Sequence, residues 1–178
     1  MAVEMWRDGE AWLKNDKIRM NTGSNEACKL YDCALTQLVT WRELEQYGGL
    51  EGTLGSMLAA DPDFFLGHVL KAGVELVGNS GTPITVSDTL ASLKRLRAKR
   101  TLTKHEQLHY EAMVDVCSGE VRRACDTWER ILAATPTDLM ALRFATDIYF
   151  YMGAQAQMRD SVARVLPVWS VSRPLHSY

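Results

Sequence analysis

The feature that most constrains this chain is a self-similarity in its C-terminal half with a period of about 34 residues. The recurring positions form three pairs: Leu108 and Leu142, Gly119 and Gly153, and Leu132 and Leu166. Trp128 lies between Ala124, four positions before it, and Pro136, eight positions after it. A period of this length predicts a chain built from repeated supersecondary units that stack on one another.

The interval and the residue types are typical of the tetratricopeptide repeat, a pair of helices in which a large apolar residue faces a small one. We therefore predict an all-α fold, a right-handed helical solenoid of antiparallel helix pairs. The predicted organisation is an N-terminal capping segment (1–23), four hairpins (about 24–62, 63–102, 103–136 and 137–172) and a tail (173–178) that continues into repeats outside this chain.

Helix caps and glycines predict where several helices begin and end. We expect the first helix to follow Ser24 and to be stopped by Gly48 and Gly49, because glycine tolerates the left-handed conformation that closes a helix. Thr103 and Glu106 form a capping box, which predicts that the third unit begins there.

The second unit is the least regular part of the pattern. The run of glycine, asparagine, serine and proline at 78–83 predicts a loop with an insertion of about six residues, after which Ser87 is predicted to cap a helix. Trp41 occupies the aromatic position of the first helix and is predicted to be a core residue, while Trp6 and Trp12 are expected to anchor the N-terminal cap.

The first helix of each such unit normally lines the inner surface of the solenoid, which predicts a concave peptide-binding groove. Arg143 with Tyr151 would hold a carboxylate and an apolar side chain, although Arg143 and Asp147 also have the spacing of a surface ion pair. The chain is thus predicted to be a non-enzymatic protein–protein interaction scaffold for an unidentified peptide or helix. The groove residues predicted from the register are Glu106, His109, Met113, Met140, Arg143, Asp147, Phe150 and Tyr151.

One string is typical of an enzyme. His105-Glu106-Gln107-Leu108-His109 fits H-E-x-x-H, in which two histidines one helical turn apart bind zinc and the glutamate activates water. Glu129 is the nominated third ligand. A zinc-dependent hydrolase is therefore the alternative function, but Glu106 already has a capping role, so we expect no enzyme activity, no metal and no cofactor.

Composition excludes other classes of function. The net charge of −2 argues against nucleic-acid binding, and no window is apolar enough to predict a membrane span. The four cysteines, Cys28, Cys33, Cys117 and Cys125, include no C-x-x-C pair, which favours free thiols in a cytoplasmic protein.

Three strings resemble the tetratricopeptide repeat protein 38 family. They are Ser24-Asn25-Glu26-Ala27-Cys28-Lys29-Leu30, Glu106-Gln107-Leu108-His109, and Met158-Arg159-Asp160-Ser161-Val162-Ala163-Arg164 with Pro167 and Trp169. The resemblance covers nearly the whole chain and implies an all-helical repeat array, with no catalytic residues to carry over.

Because members of that family continue with further repeats, the resemblance also implies that this chain is an N-terminal portion or a shortened form. A fragment with no independent function is therefore a further alternative. The apolar residues of the C-terminal edge predict self-association in the absence of a polar capping helix. They are Val165, Leu166, Val168, Trp169 and Val171.

Overall fold

The computed structural model describes residues 6–77 and 82–169, and within these ranges every regular element is a helix and there is no strand. The prediction of an all-α fold is confirmed. The described helices are α1 Gly9–Asp16, α2 Asn25–Thr40, α3 Gly49–Ala60, α4 Phe65–Leu76, α5 Pro83–Lys99, α6 Lys104–Cys117, α7 Val121–Ala134, α8 Leu139–Tyr151 and α9 Gln155–Val165, with short 3₁₀ helices at Glu45–Tyr47 and Leu166–Val168.

Consecutive helices pack as pairs, α2 on α3, α4 on α5, α6 on α7 and α8 on α9. Gly119 and Gly153 turn the chain within the last two pairs, with φ angles of 78° and 68° that favour glycine. Neighbouring pairs are joined by the packing of α4 on α6 and of α7 on α8. Of the loop predicted at 78–83, residues 78–81 lie outside the described ranges, as does the tail at 173–178, whereas residues 82 and 83 belong to the start of α5.

Side-chain caps fix several helix starts. The Ser24 hydroxyl accepts a hydrogen bond from Ala27 N, and Thr103 and Glu106 form the predicted capping box. The predicted cap at Ser87 is wrong, because α5 begins earlier, at Pro83, with Thr82 as its N-cap. Proline at the first position of a helix has a suitable φ and lacks only an N–H that would have no intrahelical partner.

The end of α2 also differs from the prediction. The helix ends at Thr40 because Trp41 adopts the left-handed conformation, with φ 54°. Gly48 and Gly49 lie instead at the start of α3, also with positive φ. Trp41 is 81% exposed, so its predicted core role is wrong.

The interior is closed by contacts between helices that are distant in sequence. Tyr31 of α2 lies edge-on to Phe64, with ring centroids 5.7 Å apart, and its hydroxyl donates to Met140 Sδ of α8 at 3.5 Å. Phe144 of α8 packs against Gly73 of α4, where a Cβ would lie 1.9 Å from Phe144 Cζ. This glycine therefore permits the close approach of the Phe144 ring to α4, and α2 packs against part of α8.

The segment before α2 packs on the helices. Trp12 is 1% exposed and lies edge-on to Tyr31, and Arg7 pairs with Asp16 and Asp32 at 2.6 and 2.5 Å. Further along, Asn21 Nδ2 donates to Thr101 O and Glu106 Oε2. The N-terminal segment thus reaches the first turn of α6.

Candidate functional site

The eight residues predicted to line an inner groove divide into two sets. Glu106, His109, Met113 and Met140 are 0% exposed, so their predicted place on an open groove surface is wrong. The cause is coverage by the chain itself, because the N-terminal segment bonds to Glu106, α4 packs on α6, and α2 reaches Met140. None of these long-range contacts is specified by the repeat pattern.

The other four residues follow one side of α8 towards its C-terminal end. Arg143 Nε donates to Asp147 Oδ2 at 2.8 Å, so the surface pairing anticipated for these two residues is present. Burial raises the pKa of the Asp147 carboxyl, and the Arg143 charge offsets only part of that effect. Phe150 and Tyr151 are both largely exposed and contact each other edge to face at 5.7 Å.

Trp41 lies beside this row of residues. The Arg143 guanidinium carbon is 4.8 Å from the centroid of the Trp41 ring, within the range of a cation–π contact. Arg143 is therefore oriented by Trp41 and by Asp147 together. A large aromatic side chain that is both exposed and held by a left-handed backbone is unusual for a residue with only a structural role.

Trp41 and Arg143 form part of an apolar cleft between the C-terminal end of α2, one side of α8, and α9. The cleft has a volume of about 350 Å³. Trp169 at its edge is fixed by a hydrogen bond from its Nε1 to Pro136 O at 3.2 Å. We call this the tryptophan cleft, and its lining residues are Val39, Trp41, Leu139, Leu142, Arg143, Thr146, Val162, Val165, Leu166 and Trp169.

Several residues of the predicted apolar C-terminal edge belong to this cleft or adjoin it. Leu166 and Val168 are exposed, whereas Val165 is buried, and Val171 lies outside the described residues. Self-association through this edge stays a prediction.

A second cluster lies at the N-terminal ends of α6 and α8. His105 and His109 are one turn apart on α6, and each has its Nε2 within hydrogen-bond distance of Asp138 Oδ2, at 2.5 and 2.9 Å. The other carboxylate oxygen of Asp138 accepts from Ala141 N and caps α8. We call His105, His109 and Asp138 the histidine–aspartate cluster. Only His105 is in partial contact with solvent.

The cluster perturbs the ionisation of all three groups. Burial opposes ionisation of Asp138, but the two imidazoles outweigh it and lower the pKa of the carboxyl well below its usual range. Burial acts to lower the pKa of each histidine. At His105 the hydrogen bond and the charge of Asp138 outweigh burial, so the pKa of His105 is raised. At His109 burial prevails, so the pKa of His109 is lowered. The two imidazoles beside the carboxyl therefore favour an ionised Asp138.

Glu106 and Glu129, the acidic residues of the alternative zinc hydrolase, lie in different environments. Glu106 Oε2 accepts from Asn21 Nδ2 and Thr103 N, while its Oε1 is buried without a partner. Glu129 is not part of the cluster, because it accepts from Tyr149 and Arg164 on α8 and α9. Asp138, and not Glu129, is the carboxylate beside the two histidines, so the prediction of Glu129 as the third ligand is wrong.

The position of Asp138 beside the histidines could have been predicted from the repeat period, which the H-E-x-x-H pattern does not take into account. His105 and Asp138 lie at the starts of the first helices of consecutive units, and a period of about 34 residues places such positions side by side. Trp41 had no comparable signal, because its exposure depends on the early end of α2.

The remaining sequence candidates are structural. His68 Nε2 is 2.8 Å from Pro62 O, and burial lowers its pKa. None of the four cysteines, all of which are described, forms a disulfide, and all but Cys117 are buried.

Comparisons with known proteins add no assignment. No family model matches the sequence, and no solved structure gives a significant match. Within residues 6–77 and 82–169, no helix has the length and apolar character needed to cross a lipid bilayer.

Proposed function

We propose that this chain is a non-enzymatic protein-interaction scaffold of the tetratricopeptide-repeat kind, which binds an amphipathic peptide or helix of a partner protein in the tryptophan cleft. The observation that carries the proposal is Trp41, 81% exposed at the edge of an apolar cleft. Tryptophan and arginine are the residues most often found at the energetic centre of protein interfaces. Trp41 and Arg143 supply both in contact.

The backbone at Trp41 supports this proposal. A left-handed conformation costs about 1–2 kcal/mol for a residue other than glycine, and Trp41 has φ 54°. The cation–π contact with Arg143 offsets about 0.5–1 kcal/mol of that cost. Glycine would end α2 without this strain, so a tryptophan here serves binding better than it serves folding.

The cleft also indicates the chemistry of the partner. Its walls are mostly aliphatic and aromatic, so an apolar side chain of the partner would bind between α8 and α9. Arg143 is oriented by Asp147 and offers a guanidinium to a carboxylate at the rim. Phe150 and Tyr151 continue the same side of α8 beyond the cleft and would contact the flanking residues of the segment.

The zinc-hydrolase alternative has weaker support. A hydrolase needs substrate and water to reach both the metal and the glutamate, and Glu106 and His109 are 0% exposed. Glu106 Oε2 is already bonded to the backbone N–H of Thr103 and to Asn21. These observations do not test the alternative that the chain is a fragment with no independent function.

Affinity capture from cytosolic extract tests the proposal, with bound proteins quantified by mass spectrometry. We expect the chain to retain one or more proteins that Trp41→Gly retains at least tenfold less, although Trp41→Gly is expected to remain fully folded. Arg143→Glu tests the carboxylate contact separately.

Two matched controls accompany these variants. Lys17→Gly changes another non-glycine residue with positive φ, and Ile84→Ser removes an exposed apolar side chain outside the cleft. Both should retain the same proteins as the unaltered chain. Equal retention by Trp41→Gly and the controls would contradict the assignment of the cleft.

A further inference from the structure

The histidine–aspartate cluster has the donor atoms and the convergence of a metal site. The Nε2 atoms of His105 and His109 both point at Asp138 Oδ2, and one potential ligand atom from each residue lies within 4.8 Å of the others. A tetrahedral zinc ion with bonds of about 2.0–2.2 Å holds its ligand atoms roughly 3.3 Å apart. The two contacts with Asp138 Oδ2, at 2.5 and 2.9 Å, would therefore have to lengthen by less than about 1 Å to reach that spacing.

Unpartnered polar atoms are concentrated at the same place. Among the described residues, few buried side-chain nitrogen and oxygen atoms lack a hydrogen-bond partner, and three of them are His105 Nδ1, Glu106 Oε1 and His109 Nδ1. Buried polar groups are nearly always satisfied in native proteins, so three in one five-residue string call for an explanation.

Metal binding through Nε2 would turn each Nδ1 into a donor that still needs an acceptor. A neutral imidazole bound to a metal through Nε2 carries its proton on Nδ1, which becomes a hydrogen-bond donor. Ligating histidines almost always donate this second N–H to a carboxylate, a carbonyl or water. Glu106 Oε1 is a buried carboxylate oxygen in the same string that has no partner, and a side-chain shift would be needed to bring it within hydrogen-bond distance of either Nδ1.

Charge and burial distinguish the kind of site. As metal ligands, two neutral imidazoles and one carboxylate together carry a charge of −1, which suits a divalent cation. His109 and Asp138 are buried and only His105 is partly exposed. Nitrogen and carboxylate ligands suit zinc and its neighbours in the first transition series.

We propose that His105 Nε2, His109 Nε2 and Asp138 Oδ2 are the three protein ligands of a Zn²⁺ site, with water as the fourth ligand on the partly exposed side of His105, and that the ion ties the first turn of α6 to the start of α8. The site is independent of the tryptophan cleft, so either proposal can fail without the other.

Titration of the purified full chain with Zn²⁺, after removal of metal by a chelator, tests the site. We expect one equivalent to bind tightly, with a Tm that rises with zinc concentration. Co²⁺ in the same site should give the visible absorption of a tetrahedral ion with nitrogen and oxygen ligands, a signal that a merely structural role of the residues would not produce.

Asp138→Asn is the most informative variant, because asparagine is as good an N-cap as aspartate but lacks the anionic ligand oxygen. We expect it to weaken zinc affinity by about 100-fold or more while its far-ultraviolet circular dichroism shows the same helix content. His105→Asn, at the solvent-facing edge, should have the same effect. The matched control is His68→Asn, a histidine outside the cluster, which should leave affinity unchanged.

Three results would overturn the proposal. They are no stoichiometric binding at micromolar zinc, affinity unchanged in both Asp138→Asn and His105→Asn, and a Co²⁺ spectrum showing thiolate ligands. The last two would mean that the metal binds adventitiously elsewhere in the chain.

Discussion

The histidine–aspartate cluster and the tryptophan cleft both involve α8, and they depart from the usual distribution of side chains in opposite ways. At the cluster, two imidazoles and a carboxylate are enclosed by protein. At the cleft, Trp41 and Leu166 expose apolar surface. A buried polar group and an exposed apolar patch are the two exceptions to normal burial that carry the most information.

The difference indicates which property each region controls. Enclosed polar groups depend on one another, so removing one leaves the rest unpaired and lowers the free energy of unfolding. Exposed apolar groups contribute little to that free energy, so they are available to a partner. Changes at the cluster should therefore act on stability, and changes at the cleft on binding.

The largest effect is expected for Asp138→Ala in metal-free protein. It leaves two imidazoles buried without their carboxylate and removes the N-cap of α8, so we expect a loss of about 3–5 kcal/mol in the free energy of unfolding. Urea denaturation at neutral pH, with a chelator present, measures it. Asp138→Asn should lose about 1 kcal/mol less because it keeps the cap. A loss below about 1 kcal/mol for Asp138→Ala would show that the cluster is not enclosed.

A smaller effect is expected where α8 meets α4. Gly73→Ala places a Cβ 1.9 Å from Phe144 Cζ, and overpacking of this kind costs about 1–3 kcal/mol. Adding Phe144→Leu should recover part of the loss, so a double-mutant cycle should give a coupling energy of at least 0.5 kcal/mol in magnitude. The control is Gly55→Ala on α3, where a Cβ meets no atom within 4 Å. It should stabilise the chain by about 0.5–1 kcal/mol.

Much of the local structure could be predicted from the sequence, because its causes are local. The capping box at Thr103 and the turns at Gly119 and Gly153 depend on residues a few positions apart. Helix pairing follows from the periodicity of apolar residues. The period of about 34 residues also indicates that Asp138 lies near His105, although the third ligand was predicted to be Glu129.

The predictions that failed depended on contacts across the molecule. Nothing in the repeat specifies that Tyr31 of α2 reaches Met140 of α8, and that contact helps to bury residues predicted to line an open groove. The early end of α2 at Trp41 was missed because a left-handed tryptophan is rare, and the glycine pair downstream was the stronger signal.

At the cleft, Trp41→Gly should change stability in the opposite direction. Glycine relieves the left-handed strain, and loss of the cation–π contact offsets part of the gain, so we expect an increase of roughly 0.5 kcal/mol in the free energy of unfolding. Lys17→Gly, with φ 60°, is the control without an aromatic contact and should gain slightly more. If Trp41→Gly instead loses more than about 1 kcal/mol, Trp41 contributes to the fold and the contrast between the regions fails.

The smallest effect is expected for Asp147→Asn, which keeps the shape of the side chain but removes its charge. The pKa of Asp147 is raised in the folded chain, by burial first, so the folded state binds its proton more tightly than the unfolded state does. Stability from this group is therefore present at low pH and falls as pH rises from the unfolded pKa through the folded pKa. Asp147→Asn avoids that fall, while losing an ion pair with Arg143 that contributes at most about 0.5 kcal/mol. We expect its free energy of unfolding, relative to the unaltered chain, to increase between pH 4 and pH 7. A relative decrease over that interval would mean that the pair with Arg143 outweighs burial, and that this side of α8 is held together by charge.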